Sequence, residues 1–237
     1  MNSQLAFVTC ANNPSILSRY LFSSPCLMDH RYRQEIYCSA GSAAAAFNRE
    51  LLRQTQAKWL VWVHQDVFLP PGWDQCFLEA IEKAEDKFPR LAVVGVYGVA
   101  GAGQQAVRAG RILDRGLLLQ GTASLPCRVD SIDELLFAVR TDSGLALDPR
   151  LGFDFYATDL ALCAAEQGFS VAVVDAYCEH WSDTVDGRPS PSLLERVAES
   201  GAFFEQKWAH RLPLATPCFL LERPGDIAKR CKALSGS

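Results

Sequence analysis

The stretch Lys58–Trp73, KWLVWVHQDVFLPPGW, decides the fold. Its apolar run, Trp59–Val63, predicts a buried strand over Lys58–Val63. The run stops at the polar tripeptide His64–Asp66, and a Pro-Pro-Gly turn follows shortly after it. Ligands in open α/β sheets bind outside the carboxyl ends of the strands. We therefore expect Asp66 to lie at the edge of a ligand-binding crevice.

Strands and helices alternate on both sides of this stretch. The other predicted elements are a strand over Gln4–Thr9, a strand over Gln34–Ser39, a helix over Ser42–Gln56 with Ser42 as its N-cap, a helix over Trp73–Phe88 and a strand over Leu91–Tyr97. Such alternation predicts an α/β fold with a mainly parallel central sheet and helices on both faces.

After Tyr97 the pattern is less regular. It predicts a hairpin in RILDRGLLLQ (111–120), a helix over Thr158–Gln167, a strand in SVAVVDAYCEH (170–180) that ends at His180, and a helix over Pro191–His210. The sequence shows no clear linker and no internal repeat. We therefore expect one domain over residues 1–215 and a C-terminal extension over residues 216–237.

Composition excludes several classes of protein. The chain has 237 residues, is 49% hydrophobic and carries a net charge of -4, so it can bury a large core and offers nothing that attracts nucleic acid. Its apolar runs are shorter than the roughly 20 residues of a transmembrane helix. Its nine cysteines are odd in number and lack CxxC spacing, which indicates reduced thiols in the cytoplasm and no disulfide.

Three polar residues are candidates for chemistry. Asp66 at a strand end suits a hard divalent cation that shares its ligands with substrate phosphates, although aspartate before such a corner is also ordinary turn chemistry. Asp159 lies in the first turn of a predicted helix, where the helix dipole keeps it ionised and able to accept a proton; the structural alternative is that Thr158 or Asp159 only caps the helix. His180 ends a predicted strand and could reach the same edge of the sheet.

The segment GAGQQA (101–106) matches the letters of a dinucleotide-binding fingerprint. A true fingerprint follows the first strand and opens a helix, whereas this segment follows the fourth strand and no helix pattern begins after it. We interpret it as a loop, and a nicotinamide-dependent oxidoreductase is the weaker alternative that it leaves open.

Four segments taken together resemble the family-2-like glycosyltransferases of the GT-A fold, in the bacterial branch where an HQD segment replaces DxD. They are Ser39–Trp73, Val129–Arg140, Leu151–Ser182 and Phe203–Pro213, and their order and spacing agree with that branch. The resemblance implies a Rossmann-like nucleotide-diphospho-sugar transferase fold.

The resemblance also implies residue roles and partners. Asp66 and His180 would bind the divalent cation (Mn²⁺ or Mg²⁺). The nucleotide sugar would be bound by Asn12, Asn13, His64 and Asp66. The acceptor would be bound by Asp133 and Glu134, and Asp159 would be the general base. The implied activity is inverting transfer from a nucleotide-diphosphate sugar to a hydroxyl on a glycan or lipid-linked acceptor, in polysaccharide or glycolipid assembly. A non-catalytic sugar-nucleotide or glycan-binding protein is the other alternative.

Overall fold

The computed structural model describes residues 4–53, 56–182 and 189–235. The strands, in chain order, are β1 (Leu5–Cys10), β2 (Arg33–Tyr37), β3 (Trp59–Val63), β4 (Val67–Phe68), β5 (Leu91–Gly95), β6 (Tyr97–Ala100), β7 (Val107–Asp114), β8 (Leu117–Gln120), β9 (Cys127–Arg128), β10 (Ser131–Ile132), β11 (Leu136–Arg140), β12 (Ser170–Val173), β13 (Cys178–His180), β14 (Leu214–Ala215) and β15 (Leu220–Leu221). The helices are α1 (Pro14–Arg19), α2 (Pro25–Met28), α3 (Ala43–Leu52), α4 (Trp73–Lys87), α5 (Tyr156–Glu166), α6 (Pro191–Lys207) and α7 (Asp226–Ser235).

The central sheet has seven strands in the order β2-β1-β3-β11-β5-β12-β9. Strand β1 pairs in parallel with β2 and β3, and β12 pairs in parallel with β5. Strand β11 is antiparallel to both β3 and β5, and β9 is antiparallel to β12. All strands except β11 and β9 therefore point the same way, which confirms the mainly parallel sheet.

Helices cover both faces of this sheet, because its strands bury alternate residues in two separate cores. In β3, Leu60 and Trp62 face the core that contains α3, α5 and α6, whereas Val61 and Val63 face the core that contains α4. Trp73 and the rest of the apolar stripe of α4 fill the second core. The predicted α/β class is thus confirmed.

Helix α3 begins as the sequence predicts and ends earlier. The Oγ atom of Ser42 accepts a hydrogen bond from the backbone N–H of Ala45 at 3.0 Å, so Ser42 is the N-cap. The helix ends at Leu52 rather than Gln56, and residues 54–55 lie outside the described part of the chain.

A second sheet has the order β10-β6-β7-β13-β4, with β8 paired to β7. Strands β7 and β8 form the predicted hairpin, with Arg111 opposite Gln120 and Asp114 opposite Leu117. In the middle of β7, Gly110 has φ +95°, and a Cβ there would lie 2.1 Å from the carbonyl oxygen of Val96. Only glycine lets the two backbones come so close.

The prediction of one strand over residues 170–180 is wrong. The structure divides this segment into β12, in the central sheet, and β13, in the second sheet, with a turn at Val174–Tyr177 between them. Both halves are buried apolar runs, and the sequence marks the crossing between them only by Asp175, which is exposed. The crossing places His180 opposite Asp114 of β7 and Val67 of β4.

The last described residues pack against α6. Ile227 and Cys231 of α7 are buried, and the carboxylate of Glu205 accepts hydrogen bonds from the backbone N–H groups of Gly225 (2.7 Å) and Ile227 (3.0 Å). Gly201 gives α7 room, since a Cβ there would lie 2.5 Å from Cγ2 of Ile227. Among the described helices, none has the length and apolarity to cross a membrane.

Candidate active site

Three side chains from distant parts of the sequence meet at the carboxyl end of β3. His64, Asp66 and His180 each offer one potential ligand atom, and these atoms all lie within 4.8 Å of one another. A tight turn, closed by a 3.2 Å hydrogen bond from Val67 N–H to the His64 carbonyl, carries the chain from β3 into β4. Because β4 pairs with β13, Nε2 of His180 comes within 3.4 Å of Oδ1 of Asp66.

The charges of this cluster follow from burial and hydrogen bonding. Burial disfavours a charged His180, but its hydrogen bonds to Asp114 and Asp66 outweigh that and raise its pKa to about 10. For Asp66, burial acts to raise the pKa, but the hydrogen bond from His180 and its charge leave the pKa lowered. Burial lowers the pKa of His64 to about 4, so this imidazole is neutral near pH 7 and able to bind a metal.

The donor set fits a divalent cation. Two imidazole nitrogens and one carboxylate oxygen suit a transition-metal dication better than Mg²⁺, which prefers oxygen alone, and such a cation would displace the proton that His180 carries near pH 7. Nδ1 of His180 lies 2.8 Å from Oδ1 of Asp114, the arrangement that orients many metal-binding histidines. The sequence analysis missed Asp114, whose Asp-Arg-Gly context is ordinary turn chemistry, and it assigned His64 to the nucleotide alone.

A cavity of about 410 Å³ opens beside the cluster. Its wall includes Asn12, Tyr37, Trp62, His64, Asp66, Tyr156 and Arg196. Flat aromatic walls combined with a few polar groups are typical of small-molecule sites, and the volume lies in the range of such sites.

Gln65, which the sequence analysis passed over, holds one side of this cavity together. Its Oε1 accepts hydrogen bonds from the backbone N–H groups of Asn12 (3.1 Å) and Asn13 (3.0 Å), and its Nε2 donates to Oδ1 of Asn12 (2.6 Å). Asn13 caps α1 by accepting from the N–H groups of Ser15 and Ile16. Asn12 therefore lines the cavity, whereas the Asn13 side chain is committed to the helix.

A second, smaller cavity of about 160 Å³ contains the predicted acceptor residues, Asp133 and Glu134. Asp154 lines the same space. Oε1 of Glu134 is enclosed and has no hydrogen-bond partner among the described residues. Burial, followed by the charges of Asp154 and Asp133, raises the pKa of Glu134 well above its usual value, and burial also raises that of Asp133.

Tyr156 links the two regions. Its hydroxyl lies 2.9 Å from Nε2 of His64 and donates to the Glu134 carbonyl at 3.4 Å. The preceding residue, Phe155, adopts a left-handed conformation (φ 64°), packs against Phe204 with ring centroids 5.1 Å apart, and lines the smaller cavity. Strain at Phe155 is thus stored where the two cavities approach each other.

Asp159 lies apart from both cavities. It occupies the first turn of α5, as predicted, but is only 1% exposed and faces α6. Its Oδ1 accepts a hydrogen bond from Nε1 of Trp208 (2.8 Å) and lies 2.6 Å from Nζ of Lys207. A carboxylate paired in this way must exchange these partners before it can take a proton from a substrate. The base role of Asp159 stays a prediction, and its contacts are those of a structural residue.

The GAGQQA segment forms a short 3₁₀ turn, Gly103–Gln105, between the antiparallel strands β6 and β7. A dinucleotide fingerprint needs a strand that leads into a helix, so that the helix N-terminus can hold the pyrophosphate. The described geometry does not supply this, and the oxidoreductase alternative loses its site.

Comparisons with known proteins give one distant sequence relative. No protein-family model matches the chain. A protein from Fuscovulum blasticum, described as ATP synthase subunits region ORF 6, is 25% identical over 167 residues, an alignment that covers 65% of this chain and 64% of the relative. The chain thus spans less than two thirds of that relative's length.

Solved structures give a clearer result for the fold. A crystal structure of GalNAc-T7 with UDP, GalNAc and Mn²⁺ superposes with a TM-score of 0.53 at 13% identity, covering 98% of this chain and 54% of that one. The chain spans about half the length of GalNAc-T7. S. aureus TarS 1-349 is more distant, with a TM-score of 0.45 at 10% identity over 85% of this chain and 65% of that one.

At such identities structural likeness shows the fold alone. The fold of this chain is the GT-A nucleotide-diphospho-sugar transferase fold that the sequence resemblance implies, and that prediction is confirmed.

Proposed function

We propose that this protein is a metal-dependent, inverting glycosyltransferase of the family-2-like branch, which moves a sugar from a nucleotide-diphosphate sugar to a hydroxyl acceptor. The observation that carries the proposal is the convergence of His64, Asp66 and His180 beside a cavity of about 410 Å³. The shared fold with GalNAc-T7, which was solved with UDP, GalNAc and Mn²⁺, supports it.

The proposed cation is Mn²⁺, held by Asp66 and His180 with His64 as a third donor. Bound there, it would offset the negative charge of the departing nucleoside diphosphate. The protein's part is to keep the donor atoms in place: Asp114 fixes the ring of His180, and Gln65 ties the loop after β1 to the turn after β3.

The nucleotide sugar is proposed to occupy the larger cavity. Asn12 would hydrogen-bond to it, His64 would contact it through the shared cation, and Tyr37 offers an aromatic wall for a base or sugar ring. Asn13 contributes indirectly by capping the helix that follows.

The acceptor is proposed to reach the reaction centre from the side of the smaller cavity. Inverting transfer needs a carboxylate that takes the proton of the acceptor hydroxyl while that oxygen bonds to the anomeric carbon and the diphosphate leaves. Glu134 lines this cavity and its Oε1 has no hydrogen-bond partner among the described residues, whereas Asp159 is engaged by Lys207 and Trp208. The geometry thus favours Glu134 over the sequence-based choice of Asp159.

The biological setting of the proposal is polysaccharide or glycolipid assembly in the cytoplasm, with a glycan or lipid-linked acceptor. Support for a reducing compartment comes from the cysteines, all nine of which are free thiols.

A non-catalytic sugar-nucleotide or glycan-binding protein is the second candidate. Two observations favour it: a histidine stands where the family has its first acid, and Asp159 is buried in an ion pair. Both candidates predict binding of a nucleoside diphosphate, so turnover of a nucleotide sugar separates them.

The test starts with thermal unfolding in the presence of nucleoside diphosphates, with and without Mn²⁺. We expect the midpoint to rise only when nucleotide and cation are both present, because a ligand that binds the native state alone stabilises it. Asp66→Asn and His180→Gln should abolish the rise, whereas His210→Gln, which alters an exposed pair with Glu166, should not. Release of free sugar or transfer to an acceptor then decides between enzyme and binding protein. The absence of any nucleotide-dependent shift would contradict both candidates.

A further inference from the structure

We propose that Arg196 binds the diphosphate of the nucleotide sugar, and that Asp154 holds its guanidinium in place for this purpose. This inference rests on the proposed function and adds to it a phosphate-binding residue that neither the sequence analysis nor the family resemblance supplies.

The Arg196 guanidinium is anchored along one edge. Its Nε donates to Oδ2 of Asp154 at 2.9 Å and its Nη2 donates to Oδ1 at 3.1 Å, so the two planar groups are paired fork to fork. Asp154 is only 8% exposed, and its Oδ2 also accepts from the Ser200 hydroxyl at 3.4 Å. Arg196 and Ser200 are one turn apart on α6, so both contacts come from one face of that helix.

The other edge of the guanidinium remains available to a ligand. Nη1 of Arg196 makes no hydrogen bond to the described residues, the side chain is 51% exposed, and it forms part of the wall of the larger cavity. The Arg196 side chain therefore borders the same space as Asp66 and His64.

The positive charge of Arg196 distinguishes it from the other residues of the cavity wall. Arg196 is the sole lysine or arginine among the described residues that line this cavity. The same wall also holds an acid, Asp66, and a histidine, His64. A diphosphate carries at least two negative charges, and a single divalent cation shared with Asp66 leaves part of that charge unbalanced. A planar arginine fork is the protein group best matched to phosphate oxygens.

The pair also joins the two cavities. Arg196 lines the larger one, and its partner Asp154 lines the smaller one beside Glu134. A diphosphate held by Arg196 would thus lie at the wall between the proposed donor and acceptor sites, where transfer has to occur.

The experiment measures the affinity of the full chain for UDP, UMP, GDP and GMP by calorimetry in excess Mn²⁺. The parent is compared with Arg196→Gln and with Arg150→Gln. Arg150 is a matched control, because it too forms a fork with an aspartate, Asp148 (2.9 and 2.6 Å), but lies outside the cavity wall. Thermal unfolding of each variant reports the fold.

We expect Arg196→Gln to weaken binding of the diphosphate at least tenfold and to change the affinity for the monophosphate less than twofold. The unfolding midpoints of Arg196→Gln and Arg150→Gln should agree within a few degrees. The double variant Arg196→Gln/Asp154→Asn, which leaves no unpaired buried carboxylate, should show the same selective loss.

Two results would overturn the inference while leaving the proposed function intact. One is diphosphate affinity in Arg196→Gln equal to that of Arg150→Gln; the other is an equal loss for mono- and diphosphates, which marks Arg196 as a structural residue. If the parent itself binds none of the nucleotides, the proposed function fails and the inference fails with it.

Discussion

The Nδ1 atom of His180 lies 2.8 Å from Oδ1 of Asp114, and the two residues face each other across the parallel strands β13 and β7. This contact fixes the imidazole so that its other nitrogen, Nε2, points to Asp66 at 3.4 Å. A backbone register thus sets the orientation of a proposed metal ligand, and Asp114 would act on a bound cation only through His180.

Replacing Asp114 by asparagine should weaken binding of Mn²⁺ about 10- to 100-fold, as loss of such an outer partner typically does. The size of the side chain is kept, but the ring of His180 loses its anionic acceptor. Titration followed by the electron paramagnetic resonance of free Mn²⁺ measures the affinity. Asp142→Asn, which alters an exposed pair with Arg140, is the control. Equal affinity in both variants would show that Asp114 has no part in the site.

The general base can be located by comparing two carboxylates. We expect Glu134→Gln to lower sugar transfer about 10²- to 10⁴-fold with little change in nucleotide affinity, the usual contribution of a general base. Asp159→Asn should mainly lower stability, because Lys207 loses one of its two charged partners. Transfer kinetics and urea unfolding of both variants check this. A stable Asp159→Asn protein that binds nucleotide but transfers no sugar would instead support the sequence-based prediction.

Glu134 should also make stability depend on pH. Burial, Asp154 and Asp133 raise its pKa in the folded state, so the unfolded chain ionises it at a lower pH than the native protein does. This contribution lowers the free energy of unfolding as pH rises above about 4.3, with a slope of at most about 1.4 kcal/mol per pH unit. The stability of Glu134→Gln relative to the parent should therefore rise with pH above the unfolded-state pKa and level off once Glu134 ionises in the native protein, as measured by urea unfolding. A difference that is constant with pH would refute the shift.

Asp148 should make the free energy of unfolding depend on pH in the opposite sense to Glu134. Its hydrogen bonds from Arg150 and Lys207 hold the pKa of this nearly buried carboxyl well below its usual value. The stabilisation is present above the unfolded-state pKa of about 3.9 and is lost as pH falls below it. Asp148→Asn should cost about 1 to 3 kcal/mol at pH 7.

The matching measurement is urea unfolding of Asp148→Asn and the parent at pH 7 and pH 3. The gap between the two proteins should narrow at the lower pH. The exposed pair of Asp142 serves for comparison, since its loss in Asp142→Asn should change stability by less than about 1 kcal/mol. An equal gap at both pH values would show that the Asp148 carboxylate is not the source of the effect.

Much of the fold follows from local pattern. The ends of β3 and α4 match the sequence-based bounds within a residue, because an apolar run and an amphipathic stripe are each bounded by turn residues. The division of residues 170–180 between two sheets was missed, because the one exposed residue at the crossing, Asp175, did not outweigh the apolar runs on both sides of it.

Part of the candidate site was also predictable from local sequence pattern. Asp66 and His180 could be placed at strand ends from the sequence, and the structure brings them together. The positions of Asp114 and Arg196 beside the site could not be predicted from the sequence. They depend on the pairing of β7 with β13 and on the packing of α6, which are contacts between distant segments. For Asp159, the sequence predicted the position in α5 correctly but not the direction of the side chain. That direction depends on contacts with α6 and the residue after it, because Lys207 and Trp208 hold the carboxylate on the buried side.

The crossing from the central sheet to the second sheet has a consequence for folding. His180 is more than a hundred residues beyond Asp66, and it reaches that carboxylate only after β13 has docked between β7 and β4. Closing so long a loop is slow relative to forming helices and hairpins. Cation uptake should therefore appear late in refolding, after the helical signal has recovered, and a chain released before β13 is made would carry the His64–Asp66 turn without the means to retain Mn²⁺.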